Sequence, residues 1–512
     1  MNNKHVAVIP FPFYSHYMPL LNLVLKLAHA VPNTTFSFIG THKSNANLFP
    51  KSHVPNNLKA YIISDGIPEG HTLANHPGER ANFFLKTGVD NLQKGIQLVE
   101  AATKKRVTCI IADAFISSSL LVAQTLNVPW IAFWPPVSST ISLYFYTDLL
   151  RQYHANHAGD KTLDFLPGLS MLRVEDIPED LLFVGEKETV LSRELVSLGR
   201  VLPQAKAVVL NFFEELHPPL FVQDLRSKFQ SLLYVDPSPS PLLPASDEDP
   251  SGCLSWLDNQ SSKSVVYICF GTVMAPPKHE FTAMAVALEQ SGFPFLWPLE
   301  EDVRDVLPSG FVERTNIRGK LVSWAPQTRV LEHDSVGVFV THGGANSVTE
   351  SVSSGVPMIC KPVFGDQMAS ARVIQDVWET GVIIEGKVFT AEGFVKSLNR
   401  VMVEEEGKKI RENALKFKPH SFGPLSVSIL LLHTYPITTP SEYNLFFTNC
   451  NPDTVVSMFL RTELFNLKPI RTEISSTHTH LPSLFFLFSV VYIVVAYSMS
   501  WSSFPRQISL YA

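Results

Sequence analysis

VGVFVTHGGANSVTESVSSGVPMICK, residues 336–361, decides the fold. Val336–Thr341 is a short apolar run, the pattern of a strand buried on both faces. The glycine-rich turn Thr341–Ser347 leads into a helix, and a second apolar strand, Pro357–Lys361, follows. Strand, helix, strand without a hairpin turn predicts a parallel pair joined by a crossover. The same alternation extends upstream: strands at Ser264–Phe270, Pro294–Leu299 and Lys320–Trp324, with a helix over 278–291. It also fills the first half. Strands are expected at His5–Phe11, Thr35–Ile39, Ala60–Ile63, Val107–Ala112 and Val128–Phe133, and helices near 81–102 and 117–126. A helix beginning at Pro19 carries Leu20, Leu21, Leu23, Val24, Leu27 and Ala28 at i, i+3, i+4, i+7 spacing.

Between the two series lies PSPSPLLPASDED, Pro237–Asp249, with the composition of a linker. The chain therefore divides into an α/β domain over 1–236, a linker over 237–252, a second α/β domain over 253–418, and a tail. Two doubly wound domains in tandem leave a cleft, and such sheets bind ligands beyond the carboxyl ends of their strands. The tail, 419–512, is rich in Thr, Ser, Leu and Phe, and nothing in it continues the alternation. Its run Leu484–Met499, LFFLFSVVYIVVAYSM, is apolar but short of the ~20 residues a membrane helix needs. A tail anchor, a buried helix and a segment foreign to the fold are its three readings.

Composition narrows the function. Of 512 residues 45% are hydrophobic and 17% charged, enough for two to three packed domains. The net charge of −6 and the lack of a basic stripe argue against a nucleic-acid partner. Five cysteines without CxxC spacing fit neither a disulfide framework nor a structural zinc site, and suit a reducing, cytoplasmic compartment. Met1–Phe13 is too short and proline-broken for a signal peptide.

Three positions carry candidate chemistry. His16, in FPFYSHYMP, lies between a strand end and a helix start, where a neutral imidazole can accept a proton. Asp113 is the first polar residue after the strand VTCIIA. It can bond and orient His16, and it can equally cap the chain that follows it. In THGGANS the glycines allow close backbone approach, and the free N–H groups of the helix start favour a phosphate. His342, Asn346 and Ser347 add side-chain donors there, and Thr272 adds another at the neighbouring strand edge. No Walker A loop or GxSxG elbow is present, and the acidic runs Asp247–Asp249 and Glu404–Glu406 read as solvated faces rather than as an Asp-x-Asp metal site.

Trp324–Gln367, running from WAPQ to DQ, resembles the 44-residue box of plant secondary-product glycosyltransferases. The similarity continues through HVAVIPFPFYSH, IIADAF, GCLSWLD, SVVYICFGT and EGKKIRENALK, about residues 4–418, and is most like flavonoid and anthocyanidin 3-O-glucosyltransferases. It implies the GT-B fold, two Rossmann-like domains facing across a cleft, and an inverting transfer from a UDP-sugar with neither metal nor other cofactor. His16 would be the base and Asp113 its orienter. Trp324 would stack on uracil and Ala325 bond it through the backbone, while Gln327 and Glu350 hold the ribose. Thr272, His342, Asn346 and Ser347 would meet the phosphates. Asp366 and Gln367, with the backbone of Ala345, would meet the sugar, and a final Gln fits glucose. Phe84, Phe115 and Tyr144, with Phe83 beside them, would wall a planar phenolic acceptor. The implied partners are UDP-glucose and a flavonoid, acting on a monomer.

The chain departs from that pattern in four places. Gly343 stands where the box usually has Cys, and Ala345 where it has Trp. Pro135 occupies a position at which many glucosyl enzymes carry a Thr for the sugar 6-hydroxyl, which keeps a 6-deoxy donor such as UDP-rhamnose open. From Pro419 onward unrelated sequence replaces the helix that closes the family fold. A UDP-sugar-binding protein without turnover is therefore the alternative of a different class.

Overall fold

The structure, a computed structural model, describes residues 4–46, 54–73, 77–237, 249–271 and 276–418, and four short strands beyond them. Residues 1–418 form one compact unit and 419–512 another. The first unit contains two wholly parallel sheets. Strands β1 (His5–Ile9), β2 (Thr35–Thr41), β3 (Leu58–Ile63), β4 (Cys109–Asp113), β5 (Trp130–Trp134), β6 (Ala207–Leu210) and β7 (Leu232–Tyr234) make one, ordered 3-2-1-4-5-6-7. Strands β8 (Val265–Cys269), β9 (Phe295–Pro298), β10 (Gly319–Val322), β11 (Val336–Thr341), β12 (Met358–Cys360) and β13 (Gly381–Ile383) make the other, ordered 10-9-8-11-12-13. Both reverse direction of growth once, between β1 and β4 and between β8 and β11. Those reversals are where ligands of doubly wound folds bind.

The central strands are buried on both faces, His5–Ile9 and Val336–Thr341 throughout, which is why they read as unbroken apolar runs. Helix Lys278–Ser291 packs Phe281, Met284, Ala285 and Leu288 onto the second sheet. Strands β6, β7 and β13 have no counterpart in the sequence reading, since runs of three or four residues are too short to show a period.

Other boundaries moved for identifiable reasons. The first helix begins at Tyr14, not Pro19: Phe13 carbonyl oxygen accepts from His16 N and Tyr17 N, both at 2.9 Å, and Pro19 sits inside the helix. The helix expected near 81–102 is two, Pro77–Lys86 and Gly88–Thr103. They part where Thr87 Oγ1 donates to Phe84 carbonyl oxygen and Gly88 takes φ +57°. Asp249, read as part of a solvated acidic run, instead accepts from the N–H groups of Cys253, Leu254 and Ser255 at 2.9–3.0 Å, and these bonds hold its carboxyl down at about 2. Most of the linker, 238–248, lies outside the described residues.

In the second unit, strand Val490–Val495 pairs antiparallel with Met458–Glu463, and Ile508–Tyr511 with Glu442–Leu445. The centre of the apolar run 484–499 is thus extended rather than helical, and its remaining residues lie outside the described ones. Among the described residues no helix is long and apolar enough to cross a membrane.

Candidate active site

Both reversal points carry the predicted groups. At the first, His16 lies on the opening turn of helix Tyr14–Ala30, just past β1, and Asp113 is the last residue of β4. Because β1 and β4 are adjacent and in register, Ile9 beside Ala112, residues 97 positions apart meet. His16 Nδ1 lies 2.9 Å from Asp113 Oδ2, and the carboxylate is fully buried. A carboxylate accepts, so Nδ1 carries the proton and Nε2 is left as the basic nitrogen. Asp113 Oδ1 accepts from Phe115 N at 2.9 Å. Its two oxygens thus serve both readings at once, orienting the histidine and bracing the turn.

An aromatic shell encloses this pair. Phe11, Phe13 and Phe115 pack around the imidazole at centroid distances of 5.2, 6.4 and 4.9 Å. Phe84 adjoins Phe11 at 6.3 Å, and Tyr144 and Trp134 adjoin Phe115 at 5.6 and 5.4 Å. Phe84, Phe115 and Tyr144 are therefore linked in one cluster through Phe11. Phe83 is not: it turns to His71 and Lys86. Phe11, Phe13 and Trp134 were missed, because aromatics on a buried strand or its edge read as core.

At the second reversal point His342 follows β11 and Gly271 follows β8. A Cβ on Gly271 would come within 2.9 Å of the His342 ring, and one on Gly344 within 2.2 Å. Only glycine at 344 leaves room for the imidazole. Burial lowers the His342 pKa to about 4, so the ring is neutral, and its Nδ1 is buried without a partner. Gly343 takes φ +79°, a conformation in which the cysteine usual at this position would be strained. Helix Ala345–Ser354 starts at Gly344 with no side-chain cap, leaving its first N–H groups to a ligand. Asn346 and Ser347 lie in that first turn. Thr272 lies outside the described residues.

The rest of the box surrounds this turn. Trp324 is 53% exposed, an open indole face, with Ala325 buried beside it. Gln327 Nε2 donates to Ser347 Oγ at 3.2 Å and to Glu350 Oε2 at 2.5 Å, while Thr328 Oγ1 donates to the other Glu350 oxygen at 3.3 Å. Burial pushes the Glu350 carboxyl up, and those two donors hold it back. Tyr267, which donates to Gln327 Oε1 at 3.4 Å, was missed, for it reads as a core strand residue. Gln367 Oε1 accepts from Val363 N and Phe364 N, fixing the preceding loop. Asp366 is the N-cap of helix Gln367–Arg372, its carbonyl oxygen accepting from Ser370 N at 2.9 Å, yet its side chain makes no cap bond. Burial raises its carboxyl, and burial, with the Asp366 carboxylate adding to it, raises the Tyr144 phenol. Among the described residues no group of three or more His, Cys, Asp or Glu could hold a metal ion.

Residues 232–420 match the family description "UDP-glucoronosyl and UDP-glucosyl transferase". An anthocyanidin 3-O-galactosyltransferase of Rhododendron delavayi is 43% identical over 86% of this chain and 98% of its own length. The chain belongs to the UDP-glycosyltransferase family. A flavonol 3-O-glucosyltransferase of Arabidopsis thaliana is 42% identical over 83% of this chain and 94% of its own. Among solved structures, a UDP-glucose: anthocyanidin 3-O-glucosyltransferase in complex with UDP is 67% identical, with a TM-score of 0.81, covering 82% of this chain and 94% of that one. The UDP-glycosyltransferase is thus an enzyme of the GT-B fold, with which its two parallel sheets agree. A second description, "CAND6/7, N-terminal domain", matches residues 411–466, across the junction with the tail.

Proposed function

We propose that this UDP-glycosyltransferase moves glucose from UDP-glucose to the 3-hydroxyl of a flavonol or anthocyanidin, with inversion. The observation that carries the reading is the 2.9 Å bond between His16 and a fully buried Asp113. His16 Nε2 takes the proton of the acceptor hydroxyl, and Asp113 stabilises the imidazolium that forms. The acceptor oxygen attacks the anomeric carbon from the face opposite the diphosphate. The glycosidic C–O bond breaks, and its electron pair leaves on the β-phosphate of UDP. His342, Thr272, Asn346, Ser347 and the free N–H groups of helix Ala345–Ser354 offset that charge without a metal ion. Trp324 and Ala325 take the uracil, Gln327 and Glu350 the ribose, and Asp366 and Gln367 the sugar, with the Ala345 backbone beside them. The aromatic shell of Phe11, Phe84, Phe115 and Tyr144 suits a planar phenol. The flavonoid acceptor is favoured by the names of the similar enzymes and glucose by Gln367; UDP-rhamnose is the second reading, favoured by Pro135, which has no hydroxyl to offer a 6-hydroxyl.

The test is product formation by the full-length chain, with UDP-glucose, UDP-galactose and UDP-rhamnose each offered against a flavonol and an anthocyanidin, read by mass spectrometry. A hexose-shifted 3-O product from UDP-glucose, undiminished by EDTA, is expected. Transfer of a deoxyhexose instead would replace glucose by rhamnose. UDP binding with no product from any donor would favour the sugar-nucleotide-binding protein.

A further inference from the structure

Beyond Gln367, the helix that follows the sugar-side residues runs into the acceptor half of the molecule. At its end Arg372, 6% exposed, donates from Nε to Asp176 Oδ2 at 3.0 Å, from Nη2 to Glu175 Oε1 at 3.1 Å and from Nη1 to Asp376 Oδ2 at 3.1 Å. Asp176 is fully buried and also accepts from Arg173 N at 2.9 Å. Glu175 uses its second oxygen to pair with Lys387 at 2.8 Å. One π-helical turn, Val373–Val377, comes next; such turns are rare and are found frequently at functional sites. It carries the chain to Trp378, whose ring stacks on Phe212 at 5.4 Å and whose Nε1 donates to Leu216 carbonyl oxygen at 2.8 Å. Glu175, Asp176, Phe212 and Leu216 all precede the linker. One segment of the donor half, 366–378, is therefore fastened to the acceptor half on both sides of a π turn.

A buried ion cluster is a poor source of stability, since desolvation offsets the attraction. It is a good source of geometry, because the planar guanidinium meets three carboxylates in only one orientation. We propose that Arg372 is a positioning residue of the transfer: clamped on Glu175 and Asp176, it sets the distance between the sugar held by Asp366 and Gln367 and the base His16. The inference rests on the reading of those three residues given above. Transfer demands near-contact of the reacting atoms, so a shift of about an ångström in this segment is expensive in rate.

Two variants of the full-length chain test it, Arg372→Met in the donor half and Asp176→Asn in the acceptor half. Both are expected to lower kcat more than fivefold while the Kd for UDP, measured by calorimetry, stays within twofold. Hydrogen exchange is expected to rise over 366–378 and to stay unchanged over 336–360. A loss of fivefold or less in either variant overturns the clamp, as does a loss of UDP affinity that parallels the loss of kcat, which marks simple damage to the donor domain. In a chain without measurable transfer the exchange measurement decides alone, and unchanged exchange over 366–378 overturns the proposal. Asp366→Ala separates the two readings: it is expected to weaken UDP-glucose binding without raising exchange at 173–176, and unaltered binding would remove the sugar-side reading itself.

Discussion

At the reversal point of the first sheet the proposed base and its partner, His16 and Asp113, are 97 positions apart in the chain. At the same point of the second sheet the proposed groups, Thr272 apart, come from one continuous stretch, 324–367, and much of what they offer is backbone N–H and open space around glycines. The two sheets share a strand order, so the difference lies in the task. A phosphate is met by the fixed end of a helix, which any chain passing from strand to helix supplies, and glycines refine it. A base must be held by a second, buried side chain, and only the register of β1 against β4 brings one to it. On the proposed roles, the first site is expected to be brittle to single side-chain changes, and the second to spread its affinity over many groups.

The sharpest way to break this comparison is His16→Ala. It should lower kcat about 10³-fold, with UDP affinity by calorimetry unchanged; comparable turnover would remove His16 from the base role. Asp113→Asn, which keeps the shape but not the charge, should cost about 10²-fold in kcat, measured in the same assay. On the donor side Glu350→Gln should weaken UDP binding only about tenfold, roughly 1.4 kcal/mol, and leave kcat at saturating donor nearly intact. A large kcat effect there would erase the contrast between the halves.

Acid should expose a further difference. Burial lowers His342 to about 4 and His217, behind Ser138, to about 3, against an unfolded value near 6.5. The unfolded chain therefore takes up these protons first, and stability falls as the pH drops from 6.5 towards 4. At pH 5 the loss is about 2 kcal/mol per histidine. His217→Gln should flatten the fall in urea midpoint between pH 7 and 5; an unchanged slope would place the acid sensitivity elsewhere. The smallest effect is expected from Pro135→Thr, a few-fold gain in the use of UDP-glucose over UDP-rhamnose, and an unchanged donor ratio would mean that position 135 does not read the 6-hydroxyl.

How much of this was legible in the sequence depended on how local the determinant was. The helix Lys278–Ser291 and the strand Val336–Thr341 were readable to the residue, since Pro277 and Gly292 bracket the one and a continuous apolar run ending at a glycine-rich turn marks the other. The start of the first helix was not, because Pro19 is a strong local signal and the turn of hydrogen bonds before it is not visible in the letters. Gln327 and Glu350 were placed together by family likeness, and the structure adds Tyr267 beneath them.

The amino-acid sequence by itself determined two parallel α/β domains, the glycine-rich turn at 341–347 and the candidate pair His16 and Asp113, because strand burial and helix starts are written in contiguous residue types. Tertiary structure alone decided that the pair meets at 2.9 Å, that Phe84 and not Phe83 joins the aromatic shell, and that Arg372 spans the two halves. Those outcomes depend on register between distant strands and on which carboxylates a guanidinium finds when the domains close. No local pattern encodes such distances.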